Sequence, residues 1–261
     1  MAEALDLPQE DSVEFKSGAL DQSGPPDAPV TIAVVDLPHI SNFTDVDALR
    51  LEPDVRLRIA RTPADLQGAD AIVLPGSRNV AADLAHLRKT GLADCIVTAA
   101  ARGNAQIVGL CAGLQMLGTK IHDPHSLESA AGRLAGLGLL PVQTELAAAK
   151  TLIQTQAQHL PSRLPVTGYE IHHGQTQQHV AMAAAGNVAH AVLPDGLGWC
   201  SAQGNVMGLY LHGLFEDPNA LQALFGAQLQ GAVPTLDTVF EGLADYIGAH
   251  FAPGVLQDLL V

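Results

Sequence analysis

Basic residues are scarce: 13 Lys and Arg stand against 27 Asp and Glu, a formal net charge of −14. Such a surface repels phosphate backbones and anionic lipid headgroups. With no Lys/Arg cluster to offset it, nucleic acid and membrane surfaces are excluded as partners. Cysteine is also sparse. Cys95, Cys111 and Cys200 are widely spaced, with no CxxC pair. That excludes a disulfide framework and a zinc ribbon, and it makes a reducing cytoplasm the expected compartment. No apolar run reaches the roughly eighteen residues of a membrane-crossing helix. The opening MAEALDLPQEDSVEFKSG lacks the apolar core of a signal peptide. No GxxxxGK[ST] phosphate loop occurs anywhere, so this chain is not expected to bind ATP.

What is abundant is small and apolar. The 261 residues are 48% hydrophobic but only 4% aromatic. That composition suits α/β layers, in which small side chains let helices sit close to a sheet. Residues 1–29 are polar, acidic and broken by Gly24, Pro25, Pro26 and Pro29. They read as a linker or tail, with one domain spanning 30–261. Short continuous apolar runs at 31–37 (TIAVVDL), 55–60, 70–75 and 105–111 predict strands buried on both faces. Helical patterns alternate with them at 45–51, 63–68 and, as one long helix, 79–102. The expected architecture is a mostly parallel sheet with helices on both faces. Runs at 138–143, 150–154, 166–172, 197–202 and 206–211 are expected to extend that sheet with partly antiparallel pairing, Gln203-Gly204-Asn205 forming a turn. Two closing helices are predicted at 219–230 and 236–251, with Pro218 near the start of the first. The Ala-rich stretch 181–191 suggests no function.

Three strand ends carry the candidate chemistry. In IVGLCAGLQMLG, residues 107–118, an apolar strand runs into Cys111 and a helix follows. This is the nucleophile-elbow pattern, which projects a side chain at the carboxyl end of a sheet and aims free helical N–H groups at it. The positive end of the helix favours the thiolate, the reactive form. In VMGLYLHGLF, residues 206–215, a strand runs into His212-Gly213. A histidine so placed can stand beside another strand end, take the thiol proton and return it to a leaving amine. In LPGSRN, residues 74–79, the backbone N–H of Gly76 or Ser77, with that of Ala112, is a candidate oxyanion hole. Each has a plainer reading: Cys111 as a buried inert thiol, His212 as a capping or core residue, the PGS loop as a turn.

Taken in order, these sites resemble class I glutamine amidotransferases. LPHISNFTD (37–45), LPGSRN (74–79), TGYEIHHGQT (167–176) and GLYLHGLF (208–215) are similar, in sequence and order, to the C-terminal glutaminase domain of the cobyric acid synthase family. LDLPQEDSV (6–13) resembles the connector that follows the synthetase half of that family. The resemblance implies a flavodoxin-like class I amidotransferase fold. It implies that Cys111 attacks the side-chain amide of glutamine, releasing ammonia, and that His212-activated water hydrolyses the thioester. In that family the ammonia reaches an ATP-dependent synthetase domain, which amidates carboxylates of adenosylcobyrinic a,c-diamide. ATP and magnesium belong to that half, so no cofactor is expected here. The expected partners are glutamine, a synthetase domain or subunit, and the corrinoid that the synthetase binds.

Several positions depart from the family pattern. The usual Cys-Gly-Gly-Tyr-Gln is here Cys111-Ala112-Gly113-Leu114-Gln115, so a Cβ at Ala112 crowds the oxyanion hole. Gln115 is kept as a candidate substrate-binding residue, with helix surface as its plainer role. Many class I enzymes place a Glu two residues after the histidine; here Leu214 stands there. Glu170 is taken as the candidate orienting residue, with Tyr169, His172 and His173 expected near the pocket. Adjacent His172 and His173 point to opposite faces of a strand, so no metal site is expected. Two alternatives remain. One is the glutaminase subunit of another amidotransferase, such as one amidating peptidoglycan precursors. The other is a binding or regulatory module that keeps the fold without the activity.

Overall fold

The computed structural model describes residues 22–129 and 132–225, together with 241, 242, 244 and 245. Most of the expected tail, the 6–13 connector and most of the expected 236–251 helix lie outside the described residues. Among the described residues fourteen strands form: β1 (Gln22–Ser23), β2 (Val30–Val35), β3 (Ile40–Ser41), β4 (Val55–Ala60), β5 (Ala71–Leu74), β6 (Gly76–Ser77), β7 (Gln106–Leu110), β8 (Lys120–His122), β9 (Arg133–Ala135), β10 (Val142–Gln158), β11 (Pro165–Gln178), β12 (His190–Leu193), β13 (Gly198–Cys200) and β14 (Val206–Leu209).

The central sheet runs in the order β1-β4-β2-β5-β7-β14-β13-β12. Its middle, from β4 to β14, is parallel, and antiparallel strands close both ends. The apolar runs end up here because helices cover both faces and leave no solvated side: every residue of β5 and β14 is buried. β14 joins the sheet parallel to β7, and β13 and β12 then extend it antiparallel, the partly antiparallel pairing expected of the 197–211 region. The fold is thus α/β, with a mostly parallel core and antiparallel additions.

Three expectations need correction. The long helix 79–102 is two helices, Val80–Thr90 and Leu92–Arg102. Gly91 lies between them at φ 79°, a left-handed conformation that ends the first helix. The run 138–143 is not a strand before Val142. The N–H groups of Leu137, Leu139 and Leu140 instead donate to the carbonyls of Met116 and Leu117, closing the end of the helix Ala112–Leu117. The strands at 150–154 and 166–172 do not extend the central sheet. They belong to a long hairpin, β10–β11, in a second sheet of order β11-β10-β8-β9. A bulge between Leu146 and Thr151 divides the hairpin into an inner half and an outer ribbon.

Candidate active site

β7 and β14 are parallel neighbours, with Leu110 in register with Leu209. Chains leaving two adjacent parallel strands emerge one strand spacing, about 5 Å, apart. Cys111 therefore follows one strand end and His212 leaves the next. The Cys111 N–H donates to the Leu209 carbonyl at 2.7 Å, which ties the two exits together. Cys111 takes φ 51°, ψ −104°, a backbone conformation costly for a side-chain-bearing residue and characteristic of a tight strand-to-helix elbow. Gly113 makes the elbow possible, because a Cβ there would lie 2.1 Å from the Leu74 carbonyl oxygen of β5. Cys111 is 7% exposed, and its sulfur lies 3.8 Å from the Ile171 carbonyl oxygen of β11.

The imidazole of His212 is held by a residue that sequence reasoning did not single out. β3 pairs antiparallel with β6, Asn42 turns the chain at φ 51°, and a single 3-10 turn, Phe43–Val46, points Asp45 inward. Asp45 is 3% exposed. Its Oδ2 lies 2.7 Å from His212 Nδ1, and its Oδ1 accepts the Gly213 N–H at 2.8 Å. This two-point grip fixes the ring and assigns the Nδ1 proton to the carboxylate, leaving Nε2 free for chemistry. Nε2 is buried and has no hydrogen-bond partner of good geometry. Burial alone would lower the pKa of His212. The hydrogen bond to Asp45, the nearby Cys111 side chain and the negative charge of both outweigh it and push the value up to about 10. The site therefore favours the protonated imidazole.

The other expected residues divide into those that reach this corner and those that do not. A Cβ on Gly76 would be 3.3 Å from His212 Cε1, so that glycine borders the imidazole. Ala112 is buried as the first residue of the helix after Cys111. Tyr169 exchanges two main-chain hydrogen bonds with His212, at 3.0 and 2.8 Å. Its ring stacks on the imidazole, with centroids 5.3 Å apart. Burial and the charges of Asp45, Glu216 and Cys111 push the phenol up to about 12, so it keeps its proton. Gln115, one turn beyond Cys111, is buried, and its Oε1 has no partner. Beside it, hydrogen bonds of 2.7 Å join Tyr210 to Thr176 and Thr176 to Thr144.

Glu170 does not orient His212. It accepts from Thr155 at 2.6 Å and pairs with His172 Nε2 at 3.1 Å. Side chains alternate along a strand, so if Tyr169 meets His212, its neighbour Glu170 faces away. The Ser77 hydroxyl is likewise turned from the site and donates to Asp83. The fully buried Asp83 carboxylate also accepts the His39 N–H at 3.2 Å and contacts His39 Nδ1 at 2.9 Å. One carboxylate thereby pins both the loop that carries Asp45 and the loop that carries Gly76. His172 stacks on Tyr210 at 3.9 Å, whereas His173 meets the Ala147 carbonyl at 3.0 Å. Among the described residues no three His, Cys, Asp or Glu side chains are grouped to hold a metal ion. Nor is any described helix long and apolar enough to cross a membrane.

Residues 31–220 match the model of the CobB/CobQ-like glutamine amidotransferase domain. The chain is 50% identical over 269 residues to the cobyric acid synthase of Polaromonas naphthalenivorans, a match covering 97% of this chain and 52% of that protein. It is 44% identical over 215 residues to the adenosylcobalamin biosynthesis bifunctional protein CobDQ of Leptospira interrogans, covering 81% and 24%. The chain thus spans about half the length of the synthases it matches. In three dimensions it resembles a crystal structure of a glutamine amidotransferase, with a TM-score of 0.55 and 16% identity over 74% of this chain and 98% of that one. It also resembles PurLQS from Thermotoga maritima, with a TM-score of 0.52 and 17% identity over 84% and 99%. At those identities the structural likeness speaks to the fold alone.

Proposed function

Since the chain belongs to the CobB/CobQ-like glutamine amidotransferase family, we propose that it is a cysteine glutaminase. Its ammonia serves an ATP-dependent synthetase that amidates carboxylates of a corrin ring, a role supported by its likeness to a cobyric acid synthase and to an adenosylcobalamin biosynthesis protein. The observation that carries the reading is the buried chain of contacts from Asp45 to His212, with Cys111 beside the imidazole.

The imidazole holds the proton of Cys111, and the thiolate adds to the amide carbon of glutamine. The developing oxyanion is received by backbone N–H groups at the elbow, from Ala112 and the Gly76 loop. As the tetrahedral species collapses, His212 protonates the departing nitrogen and ammonia leaves a glutamyl thioester. The neutral imidazole then takes a proton from water, which hydrolyses the thioester to glutamate and restores the thiol. Asp45 keeps one ring orientation through both halves and stabilises the imidazolium in each. The free Oε1 of Gln115 and the protonated Tyr169 are the polar groups offered to the substrate. ATP and magnesium have no part here and are assigned to the synthetase.

Ammonia release from glutamine, measured for wild type and Cys111→Ala with and without the synthetase, tests the reading. A loss of about a thousandfold or more in the variant is expected for a nucleophile. Equal release by the two proteins, or none from wild type even with the synthetase present, would favour the alternative of a non-catalytic module. Amidation of a corrinoid, rather than of a cell-wall precursor, by the coupled pair separates the two amidotransferase readings.

A further inference from the structure

We propose that the outer ribbon of the β10–β11 hairpin is the surface on which the ammonia-consuming synthetase docks; this inference rests on the glutaminase reading. Three independent features of the ribbon point there.

The first is position. β11 is the strand that closes over the reactive pair: the Ile171 carbonyl lies 3.8 Å from the Cys111 sulfur, and Tyr169 is bridged to His212. Leu152 is the cross-strand partner of Ile171, and Ile153 of Glu170. These residues stand one strand outward from the nucleophile. The second is chemistry. Leu152 is 74% exposed and Ile153 55%, next to each other on opposite faces of the ribbon. In a chain of net charge −14, the eight residues Thr151–Gln158 (TLIQTQAQ) carry no charge at all. A solvated strand in so acidic a protein would be charged; absence of charge around exposed apolar side chains is the signature of an interface core. The third is the backbone. β10 pairs with β8 only at Gln143–Glu145. Beyond the bulge its outer edge has no strand partner among the described residues, and exposed edges are normally blunted by charge or proline. This one carries neither.

The occupant follows from the product. Ammonia set free in neutral water is protonated and ceases to be a nucleophile, so the consumer must seal the rim of the site that makes it. The relatives that this chain half-matches are about twice as long, leaving a domain's worth of chain to provide that seal. The synthetase is therefore expected to pair with the free edge of β10 and to cover Leu152 on one face and Ile153 on the other with apolar side chains.

The test is made in the complete enzyme, whether the synthetase is a separate subunit or the rest of a longer chain. Leu152→Asp/Ile153→Asp should cut glutamine-driven amidation at least tenfold. Amidation driven by an ammonium salt should stay unchanged, as should the chain's own release of ammonia from glutamine. Hydrogen exchange gives a second measurement that does not depend on the variant folding: amides 151–158 of the wild-type chain should exchange at least tenfold more slowly in the complete enzyme than in the isolated chain. Wild-type coupling in the double variant, or unaltered exchange at 151–158, would overturn the inference while leaving the glutaminase reading standing. A wild-type enzyme that makes no ammonia would remove both.

Discussion

Two carboxylate–imidazole pairs lie close together in this molecule and behave in opposite ways. At the rim of the central sheet, Asp45 grips His212 at 2.7 Å and the imidazole's pKa rises to about 10. At the base of the ribbon, Glu170 meets His172 at 3.1 Å, yet burial outweighs Glu170 and the Gly174 carbonyl, and the pKa of His172 falls. A carboxylate beside a histidine is therefore not enough to raise its pKa. The His212 pair adds a second anchor through the Gly213 N–H and has the Cys111 side chain as a further neighbour of the imidazole. The other pair lacks a nucleophile and serves to hold the ribbon's base against Tyr210.

The sharpest way to break this comparison is to neutralise each carboxylate in turn. Asp45→Asn should lower kcat for ammonia release by about 10²- to 10⁴-fold, the range for losing the group that sets a catalytic imidazole's tautomer. A next effect is on stability. A histidine whose folded pKa exceeds its unfolded value of 6.5 stabilises the fold fully below that value, and the contribution is lost as pH rises through the folded value of about 10. Chemical denaturation should thus show wild type exceeding Asp45→Asn by most between about pH 5 and 6.5, with the gap shrinking toward pH 10. A gap that widened with pH would mean that His212 is held neutral. The smallest effect belongs to the other pair: Glu170→Gln should change kcat less than about tenfold, since it removes a positioning contact rather than a catalytic one. Equal losses from the two substitutions would erase the distinction between the pairs.

How much of this was legible in the sequence depended on how local each feature was. The parallel strands announced themselves as apolar runs because burial on both faces demands them. Cys111 and His212 were legible because each follows such a run and stands beside a glycine or small residue at a turn. Asp45 was not, although it ends the LPHISNFTD segment already noted for its resemblance. Its partner lies 167 positions away, and no periodicity links a 3-10 turn to a distant strand end. Glu170 was preferred for its nearness to the expected pocket residues. Strand alternation, applied to Tyr169 and Glu170 together, would have shown that both cannot face His212. The hairpin was underestimated for a related reason. Its outer half is buried only in places, at Val166 and its partner Ala157, while Leu152 and Ile153 lie exposed, so the alternation that normally marks a strand is weak there.

The central claim, that Cys111 is the nucleophile and that Asp45 and His212 ready it, is tested most directly by covalent capture. The protein is treated with the glutamine-analogue electrophile diazo-oxo-norleucine and the adduct is mapped by mass spectrometry as a function of time. One adduct is predicted, on Cys111, forming at least tenfold more slowly in Asp45→Asn and blocked by excess glutamine. An adduct on Cys95 or Cys200, or a rate on Cys111 indifferent to the loss of Asp45, would contradict it.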